Sequence, residues 1–136
     1  MRTLKVGVVG FGPAGCVVAM SLYRQGHDVR VYERDEDPFT LCFEDMKDKS
    51  YPVSILPLGS DVMRECGMLE HFQQTKYCNR YLGQSVNGSK ILTHKGLCGY
   101  QGSRTGLMKT MLECVKETCP DLVIHFNCPI THVNLD

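Results

Sequence analysis

Between Lys5 and Met20 the chain reads KVGVVGFGPAGCVVAM, and the spacing Gly10-x-Gly12-x-x-Gly15 inside it constrains the fold more than any other feature. A strand has to end and a helix has to begin within six residues for this spacing to carry meaning. Thr3 to Val9 supplies the strand, as a short β-branched run suited to a buried parallel position. Pro13 fits the first helical position, where its missing N–H has no intrahelical partner. The helix then runs through Cys16, Val17, Val18, Ala19, Met20 and Leu22 and stops at Gly26. Asp28 to Glu33 alternates Val29 and Val31 with polar residues, as a second strand does. Residues 3–33 therefore read as a βαβ unit, right-handed on general grounds.

Each glycine has its own reason in a dinucleotide-binding turn. Gly10 allows the tight turn, a side chain at Gly12 would keep the backbone from a pyrophosphate, and Gly15 lets helix and strand pack closely. Gly10, Gly12, Pro13, Ala14 and Gly15 together bring free N–H groups and the positive helix end to the phosphates. Glu33 closes the second strand 18 positions after Gly15. A carboxylate there accepts hydrogen bonds from ribose hydroxyls and repels a 2′-phosphate, which disfavours NADP at this site. The fingerprint does not separate NAD from FAD.

Read instead as the apolar core of a signal peptide or as a buried helix, the opening stretch fits less well. Arg2 and Lys5 followed by apolar residues resemble a signal peptide, but Gly10, Gly12, Pro13 and Gly15 interrupt the run, so no signal peptide is expected. No segment approaches the ~20 uninterrupted apolar residues needed to span a bilayer. Composition agrees with a folded domain: 43% of residues are apolar, 22% charged, and 15 basic residues balance 15 acidic ones. Without net charge or a basic run, nucleic acid and anionic membrane are not expected partners. The eight cysteines include no C-x-x-C pair, and several lie in apolar periodic segments. Reduced, buried thiols in the cytoplasm or another reducing compartment are expected. The five histidines do not complete a zinc site. Cys16, in the first helical turn, could have its thiol pKa lowered by the helix end, although close packing is the simpler account.

Further along, Asp35 to Ser50 reads as a long excursion, with room for one helical turn, and Val53 to Leu56 as a brief strand. Ser60 or Asp61 is expected to cap a short helix with Val62, Met63, Cys66 and Leu69 inward, broken at Gly67. Arg80 to Thr93 reads as an antiparallel hairpin turning at Asn87-Gly88. Gly96 to Gly102 reads as a loop. Ser103 caps a helix to about Cys119 with Leu107, Met108, Met111, Leu112 and Val115 on one face, and Pro120 ends it. Leu122 to Phe126 reads as a buried strand and Thr131 to Leu135 as the start of another. His125 is read as a strand histidine, not an acid/base catalyst.

The run VGVVGFGPAGCVVAMSLYRQGHDVRVYERD resembles the N-terminus of the FAD-dependent aromatic-ring hydroxylases, the para-hydroxybenzoate hydroxylase-like flavoprotein monooxygenases. The later segments SILPLGSDVMRECGMLEHF, GSRTGLMKTMLECVKE and DLVIHFNCPITHVNLD follow in the same order, with spacing most similar to the kynurenine 3-monooxygenase branch. The resemblance implies an α/β fold: a Rossmann-like FAD/NAD(P)-binding domain over 1–136, incomplete, with an inserted antiparallel hairpin in the 35–95 excursion and a helix with strands over 103–136. It implies FAD as cofactor and NADPH as electron donor, with hydroxylation of an aromatic substrate by O2.

Carried over by position, the resemblance places Gly10, Gly12 and Gly15 on the FAD pyrophosphate and Glu33 on the adenosine ribose. Arg34 falls beside the adenine or ribose, and Arg104 where the family has an arginine close to FAD. Arg80 lies one position from the hairpin arginine that holds substrate carboxylate in the kynurenine branch. The family's later D-G and G-D segments and its substrate-binding sheet are not in these residues, which leaves the FAD-binding sheet short of a strand. The expected partner is FAD or its ADP moiety, with the C-terminal part of such an enzyme as a further one, and the isolated chain is expected to be inactive. A non-catalytic nucleotide-binding or interaction module and an unrelated NAD-binding domain stay open beside this reading.

Overall fold

A computed structural model of the chain describes residues 2–42, 51–74 and 78–134, with the side chains of 78–87 and 91–99 outside that description. β1 (Lys5–Val9), α1 (Pro13–Arg24) and β2 (Asp28–Tyr32) form the expected βαβ unit. The strands are parallel, with Lys5 opposite Asp28 and Val9 opposite Tyr32. Helix α1 ends where Gly26 takes φ +82°. The Gly26 N–H donates to Tyr23 O at 2.9 Å and the His27 N–H to Leu22 O at 3.2 Å, so two carbonyls of the last turn are satisfied.

The middle of the chain forms β3 (Pro52–Ile55), α2 (Pro57–Glu65), α3 (Leu69–Gln74), β4 (Cys78–Asn87) and β5 (Lys90–Ser103). α4 (Arg104–Thr118) and β6 (Val123–His125) follow. Two three-stranded sheets result: a parallel one in the order β1-β2-β6 and an antiparallel one in the order β3-β5-β4. β2 is the centre of the first sheet, and the outer edge of β1 carries no strand among the described residues.

Several expectations need correction. β1 and β6, expected to be buried strands, are only partly covered, with Val9 and Val123 exposed. Gly96 to Gly102 is not a loop: β5 runs through it, with Cys98 to Gly102 paired to β4 and Tyr100 to Ser103 to β3, and a register shift leaving 95–97 between the paired stretches. The hairpin turns one residue later than expected, on Gly88-Ser89, because Asn87 pairs with Lys90 and Gly88 takes φ +61°. Helix α2 starts at Pro57, with an extended Leu56 as N-cap, so Ser60 and Asp61 lie inside it. Of its expected inner residues, Met63 and Cys66 are buried and Leu69 half-buried, while Val62 is exposed. Thr131 to Asn134 form no strand. Gly67 does stop α2, at φ +71°.

The core lies on one face of the parallel sheet. Val29 and Val31 pack there against Cys16, Ala19 and Met20 of α1 and against Leu107, Met111, Leu112 and Val115 of α4. The alternate residues Lys5, Gly7, Val9, Asp28 and Arg30 are exposed on the other face. Ser103 caps α4 as expected, its hydroxyl accepting the Gly106 N–H at 3.0 Å. Cys16, Cys66, Cys114, Cys119 and Cys128 are free thiols, and the first four are buried. No helix among the described residues is long and apolar enough to cross a membrane.

Candidate nucleotide-binding site

The three glycines differ in what their own surroundings demand. Gly10 takes φ +94°, a conformation that L side chains rarely adopt. Its N–H extends the β1–β2 ladder to Tyr32 O at 2.8 Å. A Cβ on Gly15 would lie 2.0 Å from the carbonyl oxygen of Gly10, so helix and turn meet closely there. Gly12 is subject to neither constraint. It is the N-cap of α1 with an ordinary φ of −67°, and a Cβ added to it would meet nothing within 4 Å. The space in front of Gly12 is open.

Pro13 occupies the first helical position, and no side chain caps the helix start. No acidic residue lies in the first turn. The N–H groups of Ala14 and Gly15 thus sit at the positive helix end, ready for an anion. Cys16, one residue on, does not act as an activated thiol. It is fully buried, and burial pushes its thiol pKa up, as do the neighbouring Cys114, Cys66 and Cys119. The expectation of a lowered value fails because this side chain points into the core, where a thiolate is poorly solvated.

A cleft of about 300 Å³ opens beside the turn, lined by Gly10, Glu33, Arg34, Asp35, Arg104 and Ile130 among others. The structure therefore gathers residues from four separate parts of the sequence. The Glu33 carboxylate accepts the Phe11 N–H at 2.5 Å and the Asp35 N–H at 2.8 Å. Arg104 is held at its backbone by Tyr51 O (2.8 Å), and its guanidinium lies 3.8 Å from the Asp35 carboxylate. Arg34, largely exposed, is 4.0 Å from the same carboxylate. A smaller pocket that also touches Glu33 and Arg104 is lined by Phe11, Met108 and Phe126.

Asp35 and the 128–130 segment were not foreseen. Asp35 sits in an acidic run (DED) that reads as solvated surface. The 128–130 segment reaches the cleft because Cys128 N–H bonds to Glu33 O at 2.8 Å and Asn127 N–H to Asp35 O at 3.0 Å, pairings over more than 90 positions. His125 stacks on Tyr32, with ring centroids 5.1 Å apart. That contact fits a packing role. Arg80 pairs through its backbone with Tyr100; its side chain lies outside the described residues.

Comparison with known proteins agrees with this geometry. The NAD(P)-binding Rossmann-like domain family matches residues 8–74. Kynurenine 3-monooxygenase of Anopheles gambiae is 30% identical over 141 aligned residues, covering 99% of this chain. The resemblance to the FAD-dependent aromatic-ring hydroxylases read from the sequence is thus supported by a relative aligned over nearly the whole chain. Solved structures support the same fold. A flavoprotein/dehydrogenase from Cytophaga hutchinsonii superposes with a TM-score of 0.71 at 20% identity, covering 99% of this chain. 2-Methyl-3-hydroxypyridine-5-carboxylic acid oxygenase gives 0.66 at 20% identity over 93% of it. The chain spans 28% of the length of the mosquito enzyme and 33% of the Cytophaga protein. The chain thus corresponds to no more than about a third of either protein.

Proposed function

We propose that this chain holds the ADP half of FAD, as the nucleotide-binding portion of a flavin-dependent monooxygenase that hydroxylates an aromatic substrate with NAD(P)H as electron donor. The observation that carries the reading is Gly12. Neither backbone conformation nor packing asks for glycine there, so the open space is best explained by a ligand that approaches the backbone closely.

The pyrophosphate would lie over Gly12 and the uncapped N–H groups of Ala14 and Gly15, as anions do at helix starts. Glu33 would accept a ribose hydroxyl with the lone pairs that its two backbone contacts leave over. Arg104 and Arg34 would flank the adenosine end, their charge tempered by Asp35. FAD, when bound, supplies the redox chemistry; this part of the protein binds and orients it. The unpaired edge of β1 is where we place the remaining polypeptide of such an enzyme, in the same chain or a separate one.

Calorimetric titration of the 136-residue chain tests the reading. ADP and FAD should bind with similar affinity, the protein should gain little flavin colour, and NADPH should not be oxidised. ADP carrying a 2′-phosphate should bind at least about tenfold more weakly, because Glu33 repels it. Equal binding of the two would remove Glu33 from the ribose, and no binding of ADP at millimolar concentration would sink the proposal.

A further inference from the structure

Glu33 stands where a ribose partner is expected, yet both of its carboxylate oxygens already accept a backbone N–H of the chain itself. One contact reaches back 22 positions to Phe11, the residue between Gly10 and Gly12, and the other holds Asp35. The base of this strut is fixed: the Glu33 N–H donates to His125 O and its carbonyl accepts the Cys128 N–H, each at 2.8 Å. The far end is fixed as well, since the Phe11 side chain is buried and meets Phe126 edge to face at 6.0 Å. The first glycine needs a positive φ and the second is free in conformation. The amide between them therefore has no other anchor as strong as the carboxylate.

We propose that Glu33 is a positioning residue for the glycine turn: by holding the Phe11 amide it sets the direction in which Gly12 and the start of α1 face the phosphates. The inference rests on the nucleotide reading above and deepens it. It gives Glu33 an effect on phosphate binding whose sign differs from that of its charge. A carboxylate near a pyrophosphate repels it, so removing the charge should tighten phosphate binding if electrostatics alone acted. A strut predicts the reverse.

The test uses inorganic pyrophosphate, which has no ribose, alongside ADP. In Glu33→Gln the carboxamide accepts one N–H and turns its own NH2 toward the other, so one of the two amides loses its partner. Glu33→Ala removes both acceptors. Hydrogen exchange at the Phe11 and Asp35 amides should speed up at least about tenfold for one amide in Glu33→Gln and for both in Glu33→Ala. Pyrophosphate affinity should fall by about fivefold or more in either variant, and ADP affinity with it. Unchanged exchange at both amides, or pyrophosphate held as tightly or more tightly while ADP weakens, would overturn the strut and leave a ribose role alone. If Glu33→Ala does not fold, Glu33→Gln decides by the same two readouts. Failure of the unaltered chain to bind either ligand would instead remove the nucleotide reading, and this proposal with it.

Discussion

In the parallel sheet, three strands of five, five and three residues are brought side by side by a helix and by long intervening chain. In the antiparallel sheet, the fourteen-residue β5 pairs with its sequence neighbour β4 across a two-residue turn and takes β3 on its other edge. The short strands draw their order from a buried face, with Val29 and Val31 against α1 and α4. The long ones draw it from two backbone ladders. A ladder spreads its stability over many equivalent bonds, whereas the parallel unit concentrates requirements at single atoms. The lesson is that a methyl group should matter far more at Gly15, where α1 meets the turn after β1, than at the turn after β4.

The sharpest way to break that comparison is Gly15→Ala. Its Cβ would stand 2.0 Å from the Gly10 carbonyl oxygen, which is backbone and cannot swing aside. The expected loss is about 3 kcal/mol or more, at or above the usual cost of overpacking, read by urea denaturation. A loss under about 1 kcal/mol would show that α1 can slide away from the strand. Gly10→Ala and Gly88→Ala then form a matched pair, one in each region. Both glycines have positive φ, +94° and +61°, and both face open space. Each should cost roughly 1–2 kcal/mol from conformation alone. A much larger loss at Gly10 would mean that the parallel turn carries strain beyond its own dihedral angle.

The parallel unit was legible in the sequence because its signals are local. A β-branched run, three spaced glycines, Pro13 and Gly26 each act within one turn of chain, and the Ser103 cap and the Leu107–Val115 face of α4 were readable on the same terms. The antiparallel region was legible at its hairpin and at the brief strand β3, but not where β5 runs on past the hairpin. Whether Gly96 to Gly102 continues as strand depends on β3 and β4 offering partners, which nothing in the local run announces. The start of α2 was misplaced because Ser60 and Asp61 are better caps by type than Leu56, but Pro57 already opens the helix. In the cleft, Glu33 and Gly10 were visible by motif, and Arg34 and Arg104 by resemblance. Asp35 and Ile130 were not, since the pairing of 127–128 with 33–35 brings them there and that pairing has no sequence signature. Ser103→Ala tests the most local of these readings. Losing the acceptor for Gly106 N–H should cost about 1 kcal/mol. A loss near zero would place the start of α4 under the control of Tyr51 O, which holds the Arg104 N–H.

The smallest expected effect on stability is the most informative for function. Gly12→Ser puts an oxygen on a residue that already has N-cap geometry, φ −67° and ψ 175°, and that lacks a side-chain cap. The new hydroxyl can accept the N–H of Ala14 or Gly15, so the melting temperature should stay within about 2 °C or rise. The same hydroxyl would fill the space before the turn and compete for the N–H groups that a phosphate needs. ADP affinity should therefore fall by at least about tenfold in a protein no less stable than its parent. Gly15→Ala would also lower binding, but by unfolding the turn, so only Gly12→Ser separates the fold's requirement from the ligand's. If Gly12→Ser bound ADP as well as the unaltered chain, the open space would not be the phosphate's, and the anion would have to be sought in the cleft lined by Arg34 and Arg104 instead.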